Sequence, residues 1–193
     1  TDQRLKLINI LSHDVQRIER LITDYSQILK DEVALSKEKF KKLDIVPIVL
    51  SVVEDYNNIY QVKRGIKIYC IDDGNKFYLI NGIENRIEQI IANLLDNAIS
   101  FSKENQNIEV KISKNLNKEV IVNVIDEGQG FKEKDKTKVF KRFYSNRPDK
   151  FGQHSGLGLN IVNNLVELHK ASITASNRTD KNGANLEIIF PKP

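Results

Sequence analysis

Two asparagines, Asn93 and Asn97, stand four residues apart in the segment NLLDNA. A helix would place both amides on one face. The surrounding residues are strongly apolar, so the two amides need hydrogen-bond partners or a ligand. Amide oxygens suit magnesium, which keeps several waters and is often shared with substrate phosphates. The pattern indicates either a magnesium and phosphate site or a pair of satisfied amides at the helix surface.

Glycines are concentrated near a second candidate group, because five of the nine lie between residues 128 and 158. In DEGQG, Asp126 precedes Gly128 and Gly130 at the end of a predicted strand. Glycine permits positive φ and close approach of the backbone to a ligand, and a carboxylate at a strand end can accept a hydrogen bond from an exocyclic amine. An ordinary turn is the alternative interpretation.

A third group, SGLGLNIV, places Gly156 and Gly158 where a helix begins. Exposed N–H groups and the helix dipole favour a phosphate at such a position, although many helices begin this way without a ligand. A fourth, VFKRFYSNR, carries aromatic residues beside Arg142 and Arg147. It is typical either of a lid whose arginines meet a γ-phosphate or of a loop held by its aromatic side chains.

Periodicity predicts the elements that position these groups. Residues 44–193 are predicted to form an α/β layer in which three main helices pack on a mixed sheet. The predicted helices are 44–64, 84–102 and 156–170. The predicted strands are 66–72, 77–80, 107–115, 119–128, 171–178 and 183–191, with a glycine-rich, charged loop over 126–156.

Residues 3–35 are predicted to form one long helix. Its apolar residues recur at alternating intervals of three and four, which indicates a seam against partner helices: Ile8, Leu11, Val15, Ile18, Ile22, Tyr25 and Leu29. The predicted organisation is therefore a helical segment at 1–35, a charged linker at 36–43 and a globular domain at 44–193.

Composition narrows the possible functions. The 193 residues carry a net charge of +4, but no basic stripe is interleaved with aromatic residues, so nucleic-acid binding is not predicted. The single cysteine, Cys70, excludes an internal disulfide, which fits a reducing compartment. The longest apolar run, 45–53, is too short to span a bilayer, which needs about 20 residues.

The order of the four groups carries more information than any one of them. Together EQIIANLLDNAISFS, VIDEGQGF, FKRFY and SGLGLNIV resemble the ATP-binding domain of sensor histidine kinases, in the superfamily shared with gyrase, Hsp90 and MutL. The resemblance extends across residues 1–193. The segments HDVQRIERLITDYS, NAISFS and FGQHSGLGL are most similar to ChvG-type envelope-stress sensor kinases of alphaproteobacteria.

This resemblance implies a Bergerat ATP-binding fold, a two-layer α/β sandwich, preceded by one long dimerisation helix. It implies that Asp126 binds the adenine amino group, that Asn93 and Asn97 serve Mg²⁺ and the phosphates, and that Phe101 lies near the adenine. The remaining implied nucleotide-binding residues are Gly128, Gly130, Arg142, Tyr144, Gly156, Leu157, Gly158 and Leu159.

Two departures from the family pattern stand near the implied site. The second glycine box usually begins one glycine earlier, where His154 stands here, and this replacement is expected to stiffen the lid. Ser100–Phe101 replaces the common Lys-Tyr, which removes a cation from the phosphate side and leaves Lys103, Arg142 or Arg147 to compensate. Neither change abolishes ATP binding on physical grounds.

By the same resemblance the chain transfers the γ-phosphate of ATP to a histidine, for relay to a response-regulator aspartate. The segment SHDVQR around His13 resembles a phosphoacceptor motif. However, the helix at 3–35 leads into the ATP domain and so occupies the position of the second helix of the dimerisation hairpin. The acceptor is therefore expected outside this chain, and His13 is not expected to be phosphorylated.

The implied partners are a response-regulator receiver domain and a second copy of the chain, paired through residues 3–35 together with the first hairpin helix. The chain would be the cytoplasmic domain of an inner-membrane protein, with membrane contact only through other regions. Two alternatives remain open: an inactive phosphotransfer adaptor that serves as a docking module, and a superfamily ATPase or serine kinase resembling an anti-sigma factor.

Overall fold

A computed structural model describes residues 4, 12, 15, 18, 22, 39–132, 135–142, 144 and 156–193. Three positions of the predicted apolar seam, Val15, Ile18 and Ile22, are helical, and more than half of each residue's surface is exposed. The remainder of the predicted helix at 3–35, including His13, lies outside the described residues.

The described domain contains three α-helices, seven strands and one 3₁₀ helix. The helices are α1 (Ile45–Arg64), α2 (Glu84–Phe101) and α3 (Gly158–Leu168), and the 3₁₀ helix is Lys136–Phe140. The strands are β1 (Lys41–Asp44), β2 (Lys67–Asp72), β3 (Leu79–Gly82), β4 (Asn107–Lys114), β5 (Val120–Ile125), β6 (Ser172–Asn177) and β7 (Ala184–Phe190).

The main sheet has the strand order β2-β4-β5-β7-β6, in which β2 and β4 are parallel and the other pairs are antiparallel. Strands β1 and β3 form a separate antiparallel pair. The predicted hairpin of β4 and β5 and the predicted closing pair of β6 and β7 are both confirmed. The fold class, a two-layer arrangement of three helices on a mixed sheet, is confirmed as well.

Alternation along the strands determines where the core lies. Inward positions of β4, β5 and β7 are buried between the sheet and the helices, whereas the intervening positions are more exposed. From the helical layer α2 contributes a long apolar stripe: Ile87, Ile90, Ile91, Leu94, Leu95 and Ala98. The two asparagines of α2 are half-buried beside that stripe, so the packing of the core fixes the direction in which their face points.

Helix α1 begins and ends as its sequence predicts. The Asp44 carboxylate accepts a hydrogen bond from the Val46 N–H at 3.2 Å, and Pro47 stands in the first turn, where its missing N–H costs nothing. Gly65 ends the helix in the left-handed conformation, at φ 65°.

Within the described residues, no helix has the length and apolar character needed to cross a membrane.

Two local features differ from the prediction. Strand β1 was not predicted, because KKLD lacks the apolar alternation of a strand; pairing with β3 establishes it. The short strand predicted at 77–80 begins instead at Leu79. The Tyr78 hydroxyl donates a hydrogen bond to the Asp73 carboxylate and accepts one from the Asn75 N–H. Tyr78 therefore closes the preceding turn rather than starting the strand.

His169 joins the end of α3 to the start of α2. It is 3% exposed, and its Nε2 accepts a hydrogen bond from the Ile83 N–H at 3.2 Å. Its Nδ1 lies 2.7 Å from the Leu165 carbonyl oxygen and therefore carries the proton. The Phe40 ring, with its centroid 5.3 Å away, packs against the imidazole where the chain enters the domain. This geometry requires a neutral ring.

Acidification should therefore weaken the domain through His169. Burial lowers the pKa of this imidazole below its ordinary value of 6.5, so the unfolded chain binds the proton more tightly. The associated stability is complete above the unfolded pKa and is lost as the pH falls below it. Chemical denaturation at about pH 7.5 and about pH 5.5 should show a loss in the free energy of unfolding that His169→Gln reduces. An equal loss in both proteins would contradict this role.

Candidate nucleotide-binding site

Asp126 stands immediately after β5 and is 3% exposed. Its Oδ1 accepts hydrogen bonds from the Gly128 N–H at 2.8 Å and from the Ala184 N–H at 3.1 Å. The Asp126 N–H in turn donates to the Ala184 carbonyl at 3.0 Å. The carboxylate is thus held by the turn that follows it and by the first residue of the neighbouring strand β7.

Burial raises the pKa of Asp126 above its ordinary value. The N–H groups of Ala184 and Gly128 and the charge of Arg178 offset part of this rise. The two N–H groups belong to the backbone, so their positions are fixed. A carboxylate offers about four acceptor positions, so the two bonds to Oδ1 leave capacity for a donor from a ligand.

Residues next to Asp126 tie the strand end to the segment that follows α2. The Gln106 amide donates to the Glu127 carbonyl at 2.7 Å, and the Glu127 carboxylate accepts from the Asn107 N–H at 2.9 Å. Lys181 forms an ion pair with the same carboxylate. The hydrogen bonds of Lys181 and Asn107 lower the pKa of Glu127, which keeps it charged.

Helix α2 carries Asn93 and Asn97 one turn apart, so both lie on one face, as predicted. The Asn93 side-chain amide donates to the Gln89 carbonyl at 2.8 Å, which directs its oxygen away from that carbonyl. A Cβ added at Gly158 would lie 3.4 Å from Asn93 Oδ1. The structure therefore brings Asn93 against the start of α3.

Phe101 and Gly128 meet at the other end of α2. A Cβ added at Gly128 would lie 2.7 Å from the Phe101 carbonyl oxygen and 3.0 Å from Asp126 Oδ1. Any side chain at residue 128 would push these two groups apart, so glycine is required by the close approach. Gly130, at φ 72°, continues the turn.

The second glycine group forms the beginning of α3. Gly156 has φ 73°, Leu157 is buried at 2% exposure, and the Ile161 N–H donates to the Leu157 carbonyl at 2.8 Å. Leu159 is partly buried against the hydrophobic core. The first N–H groups of this helix have no partner within the helix itself, and its first residue, Gly158, lies beside Asn93.

The predicted loop at 126–156 contains the 3₁₀ helix, which sequence periodicity did not predict. Arg142 is exposed just after it and Tyr144 is half-buried. The Asn160 amide of α3 donates to the Phe140 carbonyl at 3.0 Å, and its buried Oδ1 has no hydrogen-bond partner among the described residues. Other candidates of this loop lie outside the described residues: Phe143, Arg147 and His154.

Sequence reasoning missed several residues that position the site. Asn177 of β6 accepts from the Phe131 N–H at 2.7 Å and donates to the Phe131 carbonyl at 3.0 Å, which fixes the first residue after the DEGQG turn. Gln106, Asn160 and Asn177 are amides with no distinguishing neighbours, and nothing in their spacing could have identified them. Gly183 had a signal, since it lies in the predicted turn DKNG.

In the described ranges, no group of three or more histidine, cysteine or acidic side chains could hold a metal ion. The residues suited to a hard cation are Asn93 and Asn97, whose amide oxygens need further ligands from a bound molecule. A divalent ion shared with phosphate groups fits this donor set better than an ion held by protein side chains alone.

Comparison with known proteins agrees with the geometry. A family described as histidine kinase-, DNA gyrase B- and HSP90-like ATPase matches residues 82–193. Sensor protein ChvG of Agrobacterium fabrum is 35% identical over 189 residues, covering 94% of this chain and 32% of the relative. ChvG of Rhizobium meliloti is 34% identical, covering 94% and 33%. The chain thus spans about a third of the length of these relatives.

Solved structures show the same fold. The nucleotide-free catalytic domain of histidine kinase ThkA has a TM-score of 0.68 and 26% identity, covering 80% of this chain and 96% of that domain. ThkA in complex with the response regulator TrrA has a TM-score of 0.69 and 24% identity, covering 91% and 49%. Because the family match covers more than half of the residues and contains all four sequence groups, the chain belongs to the histidine kinase-, DNA gyrase B- and HSP90-like ATPase family.

Proposed function

We propose that this chain is the ATP-binding catalytic part of a sensor histidine kinase. The supporting observation is that separate sequence groups contact helix α2, one at its carboxyl end and one beside Asn93. Asp126 is buried and oriented beside Gly128 and the end of α2, while Asn93 on the same helix faces the start of α3. An adenine recognised at one end would direct its phosphates toward the other.

Asp126 would recognise the adenine. Its carboxylate has acceptor capacity beyond the two backbone bonds, and the exocyclic amine of adenine is a donor. Phe101 lies beside Gly128 and would provide part of the surface against the base. Gly128 and Gly130 would allow the backbone to approach it.

The beginning of α3 would hold the phosphates. Its N–H groups and the positive end of its dipole favour negative charge, and Gly156 and Gly158 leave that end open to close approach. Asn93 and Asn97 fit a Mg²⁺ ion shared with the phosphates, which when bound would neutralise part of their charge. Arg142 would provide a cation from the loop, and Tyr144, Leu157 and Leu159 would shape the surrounding surface.

The reaction would transfer the γ-phosphoryl group to a histidine nitrogen. The bond from the β,γ-bridging oxygen to the γ-phosphorus would break as the nitrogen–phosphorus bond forms, with ADP as the leaving product. In such transfers the protein contributes mainly by positioning and by stabilising charge. This domain would supply the charge stabilisation, and the acceptor histidine would lie outside the chain.

The proposed partners follow from this function. A response-regulator receiver domain would take the phosphoryl group onto an aspartate; the similar ThkA structure is a complex with a response regulator. A second copy would pair through residues 3–35 together with the first hairpin helix. The domain would work on the cytoplasmic side of an inner membrane, attached through regions outside this chain.

Removing the charge of Asp126 should weaken ATP binding strongly. In Asp126→Asn, one amide oxygen still accepts from Gly128 and Ala184, but the amide nitrogen would face the adenine amine, donor against donor. Loss of a charge-assisted hydrogen bond should cost about 1.5–3 kcal/mol of binding free energy. Calorimetric titration with ATP, with and without Mg²⁺, measures it. Asp55→Asn, an exposed aspartate of α1, is the matched control; equal affinity of Asp126→Asn and the unchanged chain would refute the adenine assignment.

The chain alone should bind ATP without phosphorylating itself. Transfer requires the acceptor nitrogen to lie in line with the γ-phosphate, and the proposed acceptor belongs to another helix. Incubation with γ-labelled ATP should leave His13 unlabelled. Addition of a polypeptide containing the first hairpin helix should produce acid-labile label on that helix. Acid-labile label on His13 of the chain alone, absent in His13→Gln, would show that SHDVQR is the acceptor motif.

A further inference from the structure

Arg64, the last residue of α1, reaches the carboxyl end of α2. Its Nη1 donates to the Ile99 carbonyl at 2.9 Å and its Nη2 donates to the Ser102 carbonyl at 2.6 Å. The two nitrogens of one planar guanidinium thus hold two carbonyls three residues apart at the helix end, where the carbonyls lack the N–H partners of a continuing helix; the Ile99 carbonyl also accepts from the Ser102 N–H at 3.3 Å. The side chain is partly buried.

Helix α2 needs this external cation because its own sequence does not supply one. Its last turn contains no basic residue, and Ser102, the residue that ends it, is extended at φ −81° and ψ 145° rather than left-handed. A positive charge at the carboxyl end of a helix interacts favourably with the dipole. Bonds from a charged donor to carbonyls are also stronger than neutral ones. Arg64 therefore acts as the cap of a helix to which it does not belong.

The same residue holds the turn after α2 through its backbone. The Asn105 N–H donates to the Arg64 carbonyl at 3.1 Å. Gly65 has φ 65°, which favours glycine, and a Cβ added there would lie 2.2 Å from Asn105 Oδ1 and displace that amide. Side chain and backbone of Arg64 thus fix both sides of the segment 102–105.

The residues on either side of that segment, Phe101 and Gln106, contact the carboxylate turn of the candidate site. The Phe101 carbonyl stands 2.7 Å from the position that a Cβ of Gly128 would take, and Gly128 donates its N–H to Asp126 Oδ1. A shift at the end of α2 would therefore press directly on the turn that orients Asp126. The Gln106 bond to the Glu127 carbonyl transmits the same displacement by a second route.

We propose that Arg64 is a positioning residue for the adenine end of the site, acting through the Ser102 and Phe101 backbone on Gly128 and Asp126. This inference rests on the proposed function, in which the Asp126 carboxylate binds the adenine amine. It assigns to the last turn of α1 a role in nucleotide affinity that is separate from packing of the core.

The test compares Arg64→Met with Lys63→Met in the unchanged 193-residue background. Both substitutions remove one positive charge from the last turn of α1, but Lys63 is exposed. Methionine keeps the apolar stem of Arg64 and removes its donors. Titration calorimetry well below the unfolding temperature should show that Arg64→Met weakens the binding of both ATP and adenosine about tenfold, the loss expected for about one charge-assisted hydrogen bond. Lys63→Met should match the unchanged chain.

Adenosine separates the two ends of the site, because it carries the base without phosphates. Equal proportional losses for ATP and adenosine place the effect at the adenine end, whereas a loss for ATP alone would overturn the proposal. Arg64→Lys serves as a milder variant if Arg64→Met folds poorly. A single ammonium lacks the planar pair of donors, so its affinity should lie between those of Arg64→Met and the unchanged chain.

A purely structural role predicts a different result. If Arg64→Met and Arg64→Lys lower the unfolding temperature but leave both dissociation constants unchanged, Arg64 supports only the fold and the proposal is wrong. Failure of the unchanged chain to bind ATP would overturn the proposed function itself, and this inference with it. The comparison of unchanged chain and variants therefore distinguishes the two failures.

Discussion

The candidate site depends on the burial of one carboxylate. Removing an ionised carboxylate from water is costly unless hydrogen bonds replace the lost solvation. Asp126 obtains those bonds from the Gly128 and Ala184 N–H groups. Because both donors belong to the backbone, the carboxylate is satisfied only when the turn after β5 and the start of β7 occupy their observed places.

This requirement extends to the glycines around the strand end. Gly183 precedes β7 and has φ 145°, and a Cβ there would lie 2.0 Å from the Asp126 carbonyl oxygen. A Cβ at Gly128 would likewise lie 2.7 Å from the Phe101 carbonyl oxygen. At both glycines, neighbouring backbone occupies the space that a side chain would need. Their role is therefore established by close approach, whether or not a nucleotide is bound.

The sequence could predict those features of the fold and of the candidate site that local patterns of residues determine. Alternation of apolar residues predicted the main sheet, and the spacing of the asparagines and glycines indicated the groups that the fold brings together. Strand β1 was not predictable because KKLD becomes a strand only by pairing with β3. The roles of Arg64 and Asn177 were not predictable because their hydrogen-bond partners lie 35 to 46 residues away in the chain. A donor that satisfies a distant carbonyl has no local pattern, whereas a cap such as Asp44 does.

The two ends of the candidate site are built differently, and this difference bears on how it could work. The Asp126 end is held by hydrogen bonds from the Gly128 and Ala184 N–H groups to the Asp126 carboxylate and by the Gln106 amide, which donates to the Glu127 carbonyl. The loop that follows the DEGQG turn is tied by amide side chains to β6 and α3, since Asn177 bonds the Phe131 backbone and Asn160 donates to the Phe140 carbonyl. None of these bonds joins the loop to α2, where Asn93 and Asn97 stand. A displacement of Phe140 relative to that helix would thus leave the hydrogen bonds of Asp126 intact, so under the proposed function the base could stay bound while the surroundings of the phosphates change.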